Sequence, residues 1–259
     1  MRYLIGKLKS KNYVFFLLIN FFALSPQASI ALQATQPLVP RYVSGVESIL
    51  NSHQYIREHD APLYWKLSPY YISQPTDCAC SLASVVMIIN AIRSSQPLAA
   101  NQQLATTDNI LKRVEDKSWQ DNVKKGGNGV TLDEVKPLMS KALKAYGLKN
   151  FTVEVIHTKN TSKETAEKLH HDLMGAEQTG HVFIIANFNQ KFISGTMSVG
   201  HFSPIGAYDA QTKRVLIMDT DRELFEPYWV PEKLFLQSMS TIDEDAHNCR
   251  GYLLIKIDH

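Results

Sequence analysis

Cysteine is scarce in this chain: three residues, an odd number. That excludes a disulfide-stapled scaffold and leaves at least one thiol unpaired within the chain. An excess of one charge is also missing. Lys and Arg total 27 against 25 Asp and Glu, a net charge of +2. Nucleic-acid binding needs a clustered basic face, so no nucleic-acid partner is expected. With 12 Gly and 11 Pro there is no collagen-like or low-complexity bias. No internal repeat and no long Gly/Ser linker divides the sequence. Beyond residue 24 no apolar run is long enough to span a bilayer. What remains is 259 residues, 44% hydrophobic and 20% charged, enough for a substantial core.

The start of the chain has a different character. Arg2, Lys7, Lys9 and Lys11 precede an apolar run over residues 13–24, broken only by Asn20. Ser25, Pro26 and a small-residue stretch ending at Ala28 or Ala31 follow. This is the order of a secretory signal peptide over residues 1–31. The competing reading, a membrane anchor, needs roughly 20 apolar residues, and the run is shorter. The expectation is an exported protein, periplasmic or secreted, with no stable membrane span after signal removal. Residues 32–44 read as a flexible segment and residues 45–259 as one compact domain.

Residues 81–92 carry apolar side chains at the spacing of a buried helical face, directly after Cys80. Residues 96–129 read as polar and irregular, with a turn cluster at 126–129. Thr131 and Glu134 form a capping box that opens a helix to about Tyr146, with Gly147 as its stop. Residues 151–157 alternate as a strand. Thr161 and Glu164 suggest a second capping box, opening a helix to about Met174. Four strands are then expected, over residues 181–187, 201–208, 214–219 and 251–257. Pro231 suits the first turn of a short helix ending near Met239. Helices dominate the first half and strands the second, which points to the α+β class.

Three residues stand out chemically. Cys80 opens the buried helix, whose N-terminal potential favours a thiolate. His201 heads a strand and Asp219 ends the next one. If those strands pair, the two side chains meet at one sheet edge. An imidazole beside the thiol shares its proton and returns it to a leaving amine. A carboxylate behind the imidazole fixes its tautomer and orientation. Gln74, six positions before Cys80, offers a side-chain amide to an oxyanion. By spacing alone a cysteine before an apolar helix is better read as a packed small hydrophobe.

Residues 74–90 (QPTDCACSLASVVMIIN) resemble the nucleophile segment of the phytochelatin synthase family. Residues 200–208 (GHFSPIGAY) are similar to that family's histidine segment, and the step from His201 to Asp219 agrees with its spacing. Residues 219–222 (DTDR), 227–231 (PYWVP) and 130–134 (VTLDE) resemble further blocks. The resemblance implies a papain-like cysteine-proteinase fold, with a helical N-terminal half packed on an antiparallel sheet. It implies acyl transfer on glutathione: cleavage of the Cys–Gly bond, release of glycine, and transfer of γ-glutamylcysteine to water or to a second glutathione. Carried over, Cys80 is the nucleophile, His201 the general acid/base, Asp219 its orienter and Gln74 the oxyanion donor. Asn187, Gly200, Arg222, Asp243 and Arg250 match acyl-binding positions. Cys80 rather than Cys78 keeps the distance to Gln74. A Cys78–Cys249 disulfide and two unrelated free thiols stand as equal readings.

The chain departs from the family pattern at Ser81, where glycine is usual, at Ala79, where tyrosine is usual, and at Gln190, where a basic residue is expected. No Cys-rich C-terminal segment follows the resemblance, so hydrolysis is expected to dominate over transpeptidation. No tightly bound cofactor and no metal site are expected. A cadmium or zinc ion enters only as a glutathione thiolate complex. Homodimerisation is left open. The alternatives are a papain-like peptidase on other peptides, or a non-catalytic thiol or metal-binding protein built on Cys78 and Cys80.

Overall fold

A computed structural model describes residues 39–95 and 98–258. The expected signal peptide lies outside the described residues. From Pro40 onward the described residues form one compact unit.

The elements run β1 (Glu47–Ser48), α1 (Gln54–Glu58), α2 (Pro62–Leu67), a 3-10 turn (Ser68–Tyr70), α3 (Cys80–Arg93), α4 (Thr107–Val114), α5 (Lys117–Asn122) and α6 (Leu132–Ala145). They continue with β2 (Phe151–His157), α7 (Lys163–Thr179), β3 (Val182–Asn189), α8 (Lys191–Ser194), β4 (Gly200–Asp209), β5 (Arg214–Ile217) and β6 (Tyr228–Pro231). The chain closes with α9 (Glu232–Met239), β7 (Ile242–Asp243), β8 (Asn248–Cys249) and β9 (Gly251–Ile257). Seven strands make one sheet, in the order β1-β6-β5-β4-β3-β9-β2, and every pairing is antiparallel. β7 and β8 pair separately. The class is α+β, as the segregation of helices and strands predicts.

The first charged residue of α3 is its last, Arg93, and every position from Cys80 to Ile92 is buried. A helix apolar on all sides belongs inside the core. α3 packs against β4. Two of its three buried polar side chains are satisfied: Asn90 exchanges hydrogen bonds with the backbone N–H and C=O of Ala105 at 2.8 and 2.9 Å. Ser84 Oγ lies 2.8 Å from the Cys80 carbonyl and 3.3 Å from that of Phe202 on β4. The helix is thereby pinned to the strand that carries His201.

Local signals explain most boundaries. The Thr131–Glu134 capping box is complete, and Gly147 takes a left-handed φ of 83° just past the end of α6. Three expectations need correction. The second N-cap is Ser162, whose hydroxyl accepts from Thr165 N–H, and α7 runs on to Thr179. Pro231 is itself the N-cap of α9 rather than part of its first turn. The stretch read as irregular holds α4 and α5, each opened by a side-chain cap, Thr106 and Asp116. Within the segment expected to be flexible, Val43 N–H donates to the Ile193 carbonyl at 2.9 Å, and the Tyr42 ring packs against Phe225 and Tyr228.

β4 and β5 pair with a register shift between Ile205 and Ala207. A Cβ at Gly206 would stand 2.6 Å from Met218 Cγ, so this irregularity admits only glycine without repacking. The pairing continues past β5: Met218 N–H donates to the Pro204 carbonyl at 3.0 Å. That carries Asp219 to the edge where β4 presents His201.

Candidate active site

Cys80 is the first residue of α3 and is nine-tenths buried. The backbone N–H groups of a first helical turn lack partners within the helix and face outward. The imidazole of His201 faces the Cys80 side chain on one side, close enough for the two to interact. On the other, its Nε2 stands 2.7 Å from Asp219 Oδ1. With Nε2 bound to the carboxylate, Nδ1 is the nitrogen left for the sulfur. The Phe188 ring meets the imidazole edge-on at 5.6 Å and helps fix its plane. Burial alone would lower the basicity of His201. The charge of Asp219 and its hydrogen bond outweigh that, with Cys80 adding to them, and hold His201 well above the ordinary imidazole range.

Asp219 is fully buried. Besides His201, its Oδ1 accepts from Asp221 N–H at 2.9 Å. Its Oδ2 accepts from Tyr228 Oη at 2.5 Å and Gln190 Nε2 at 3.4 Å. Its backbone carbonyl accepts from Tyr71 Oη at 2.5 Å. A buried charge costs far less when every lone pair is met in this way.

Gln74 is tied to the same edge. Its N–H donates to the Thr220 carbonyl at 2.8 Å, and its Oε1 lies 3.2 Å from Thr220 Oγ1. The oxygen end of the amide is therefore anchored and the Nε2 end is the one without a partner among the described residues. That is the end an oxyanion needs.

A cleft of about 420 Å³ opens beside the sulfur. Its lining includes Cys78, Cys80, Asn187, Gly200, Asp243 and Arg250. Arg250 Nη1 stands 2.7 Å from Asp243 Oδ2, with both side chains largely buried. The contact is ionic rather than an aligned hydrogen bond, because Arg250 Nε and Nη1 have no acceptor in bonding geometry among the described residues. Asn187 Oδ1 is likewise buried and unpartnered. The guanidinium lies over Gly200, where a Cβ would approach its atoms to 3.1–3.2 Å. The cleft lining thus offers one guanidinium, Arg250, carboxylates at Asp77, Glu134, Asp243 and Asp245, and amides at Asn122, Asn128 and Asn187, with Arg250 and Asn187 keeping bonding capacity to spare. A larger hollow, about 580 Å³, is lined by Lys66, Arg93, Tyr146 and His181 among others. It holds neither the thiol nor its imidazole, so chemistry favours the smaller cleft.

Of the positions expected to bind the acyl group, Asn187, Gly200, Asp243 and Arg250 come together here. Arg222 does not line the cleft. It is exposed and stacks 4.4 Å over the Tyr71 ring. The three cysteines are free thiols. Cys78 Sγ donates to the Gly127 carbonyl at 2.7 Å, while Cys249 Sγ lies 4.0 Å from the Lys159 carbonyl. Among the described residues no group of three or more His, Cys, Asp or Glu gathers to hold a metal ion, and no helix is long and apolar enough to cross a membrane. The Ser81 hydroxyl, next to Cys80, is buried without a partner among the described residues. Sequence reasoning assigned no role to Tyr228, Tyr71 or Thr220. They contact the site through the fold, and no spacing signals them.

Comparison with known proteins follows the same residues. The chain is 25% identical over 204 residues to glutathione gamma-glutamylcysteinyltransferase 2 of Arabidopsis thaliana, covering 76% of this chain and 40% of that protein. It is 26% identical over 224 residues to glutathione gamma-glutamylcysteinyltransferase of Schizosaccharomyces pombe, covering 85% and 50%. A 56-residue stretch is 45% identical to glutathione gamma-glutamylcysteinyltransferase 1 of Triticum aestivum. The chain therefore spans at most half the length of these relatives. The sequence pattern described as phytochelatin synthase matches residues 37–252, most of the chain, and with it the protein belongs to the phytochelatin synthase family.

Proposed function

We propose that the protein is a cysteine acyl transferase of the glutathione γ-glutamylcysteinyltransferase type, with a papain-like arrangement of nucleophile helix against sheet. The observation that carries this reading is the His201–Asp219 pair set beside Cys80, whose side chain opens into a cleft with the Asp243–Arg250 pair. The γ-glutamyl end of glutathione bears one ammonium and one carboxylate, and the cleft bears their complements. Relatives named glutathione gamma-glutamylcysteinyltransferase support the substrate class.

In this reading the Cys80 thiolate attacks the carbonyl of the Cys–Gly bond. Gln74 Nε2 and the N–H groups at the start of α3 receive the oxyanion. The His201 imidazolium protonates the departing glycine nitrogen, and Asp219 keeps the ring aligned. A γ-glutamylcysteinyl thioester remains on Cys80. The neutral imidazole then takes a proton from water, or from the amine of a second glutathione, and the thioester breaks. Water is the main acceptor in this reading, and export through the N-terminal signal is part of it. A cadmium or zinc ion takes part only within a glutathione thiolate complex, as substrate. Asn187, Gly200, Asp243 and Arg250 hold the acyl group; Arg222 acts at one remove, on Tyr71.

Incubation with glutathione, with and without zinc or cadmium, followed by mass analysis, tests the reading. Glycine and γ-glutamylcysteine are expected, and Cys80→Ala is expected to abolish both. Cleavage of unblocked peptides with glutathione untouched would place the enzyme among general peptidases instead.

A further inference from the structure

The carboxylate behind the imidazole has two oxygens, and the acyl-transfer scheme uses one. Oδ1 serves His201 and Asp221 N–H. Oδ2 serves Tyr228 Oη at 2.5 Å and Gln190 Nε2 at 3.4 Å. Tyr228 is wholly buried in β6 and Gln190 nearly so at the start of α8. Neither lines the cleft. Both donors are uncharged. Among the described residues, His201 is therefore the one side chain that pairs as a cation with Asp219.

We infer that Tyr228 is a positioning residue for this acyl transfer. Its phenol, assisted by the Gln190 amide, holds Asp219 Oδ2 so that Oδ1 stays on His201 Nε2. The inference rests on the proposed reaction for its kinetics but not for its geometry. A carboxylate rotates about its last bond unless both oxygens are engaged. The phenol also draws charge from the carboxylate. Without it, that charge falls more fully on the imidazolium and holds its proton more tightly. The other groups facing this site are Cys80 from α3, Asp221 and Arg222 from the following turn, and the phenols of Tyr42 and Tyr71. Tyr228→Phe leaves all of them in place.

The test is Tyr228→Phe, with two readouts. In glycine release from glutathione, kcat is expected to fall about tenfold with KM within about twofold, because the phenol does not touch the cleft. The high-pH limb of kcat is expected to move upward. In ¹⁵N-histidine NMR, which needs no substrate, the His201 titration is expected to move the same way. A purely structural role would lower stability and leave both pH profiles alone. An unmoved His201 titration in the folded variant, or kcat unchanged, overturns the inference. Should Tyr228→Phe not fold, Gln190→Met removes the other Oδ2 donor and is expected to shift the titration in the same direction, by less. If the parent releases no glycine from glutathione, the proposed substrate falls, and the NMR titration alone decides on Tyr228.

Discussion

Strand β4 ends in two buried polar clusters built from similar parts. At its start His201 meets Asp219, and at its far end Tyr208 meets Glu177. There the Tyr208 N–H donates to Glu177 Oε2 at 3.0 Å and Tyr55 Oη to Oε1 at 3.1 Å. The Tyr208 hydroxyl, in turn, contacts His170 and Glu232. Both carboxylates are buried and both accept from a phenol. The difference lies in the partner. Asp219 faces an imidazole whose second nitrogen is turned to a thiol, and its charge raises that imidazole's basicity. Glu177 makes no ion pair among the described residues, and burial pushes its carboxyl up to about 7. A buried acid is thus not a catalytic feature by itself. It becomes one where its charge is spent on a titratable neighbour that faces a nucleophile.

The same amide-for-acid exchange at the two ends should have opposite consequences. Asp219→Asn is expected to lower kcat by a factor on the order of 10²–10⁴, since the ring loses both orientation and charge support. It should also alter the pH dependence of stability. A folded-state value above the unfolded one means that His201 stabilises the fold fully below about 6.5 and ceases to as pH rises through its folded value. The gap between parent and variant in urea unfolding should therefore be widest in acid and narrow as pH rises. A gap independent of pH would refute the assignment of that charge pair.

A smaller effect is expected where the substrate rather than the nucleophile is held. Gly200→Ala would drive a methyl into the Arg250 guanidinium, at 3.1–3.2 Å. The guanidinium must shift away from its place beside Asp243. KM for glutathione is expected to rise about tenfold with kcat changed far less. An unchanged KM would take Arg250 out of the acyl site.

At the far end, Glu177→Gln should leave turnover alone and change stability only. The carboxyl, raised from 4.5 to about 7, stabilises the fold below 4.5 and loses that contribution as pH climbs through about 7. The glutamine keeps a carbonyl oxygen to accept from Tyr208 N–H and turns an amide N–H toward Tyr55 Oη, which can accept, without ionising. At pH 5 the variant should match the parent within about 1 kcal/mol, and at pH 8.5 it should be more stable by on the order of 2 kcal/mol. Thermal melts at the two pH values decide it, and equal gains at both would remove the titration from the explanation.

The helix of Cys80, the strand of His201 and the turn of Asp219 are legible in the sequence because each announces itself locally. A charge-free stretch marks α3, apolar strands mark β3 to β5, and a complete capping box marks α6. The meeting of Cys80 and His201 is not local, since 120 residues lie between them in the chain. Resemblance supplied that meeting in advance, not periodicity. α4 and α5 escaped because their short apolar faces sit among polar residues, and only Thr106 and Asp116 mark their starts. The Oδ2 contacts of Asp219 escaped for another reason. A tyrosine in a strand reads as a packed aromatic until a carboxylate is found at its hydroxyl.

Helix α3 has no solvent-facing side before its final turn. The Cys80 sulfur is accordingly mounted at the open end of a helix whose later turns are enclosed on every side, while the N–H groups of its first turn have no partner within the helix. Accuracy at the reacting atom is then inherited from the interior and needs no loop to settle around the ligand. The corollary is a narrow tolerance for mutation far from the cleft: trimming Ile88 or Val85, both wholly enclosed, would shift the sulfur's seat as surely as a change beside it.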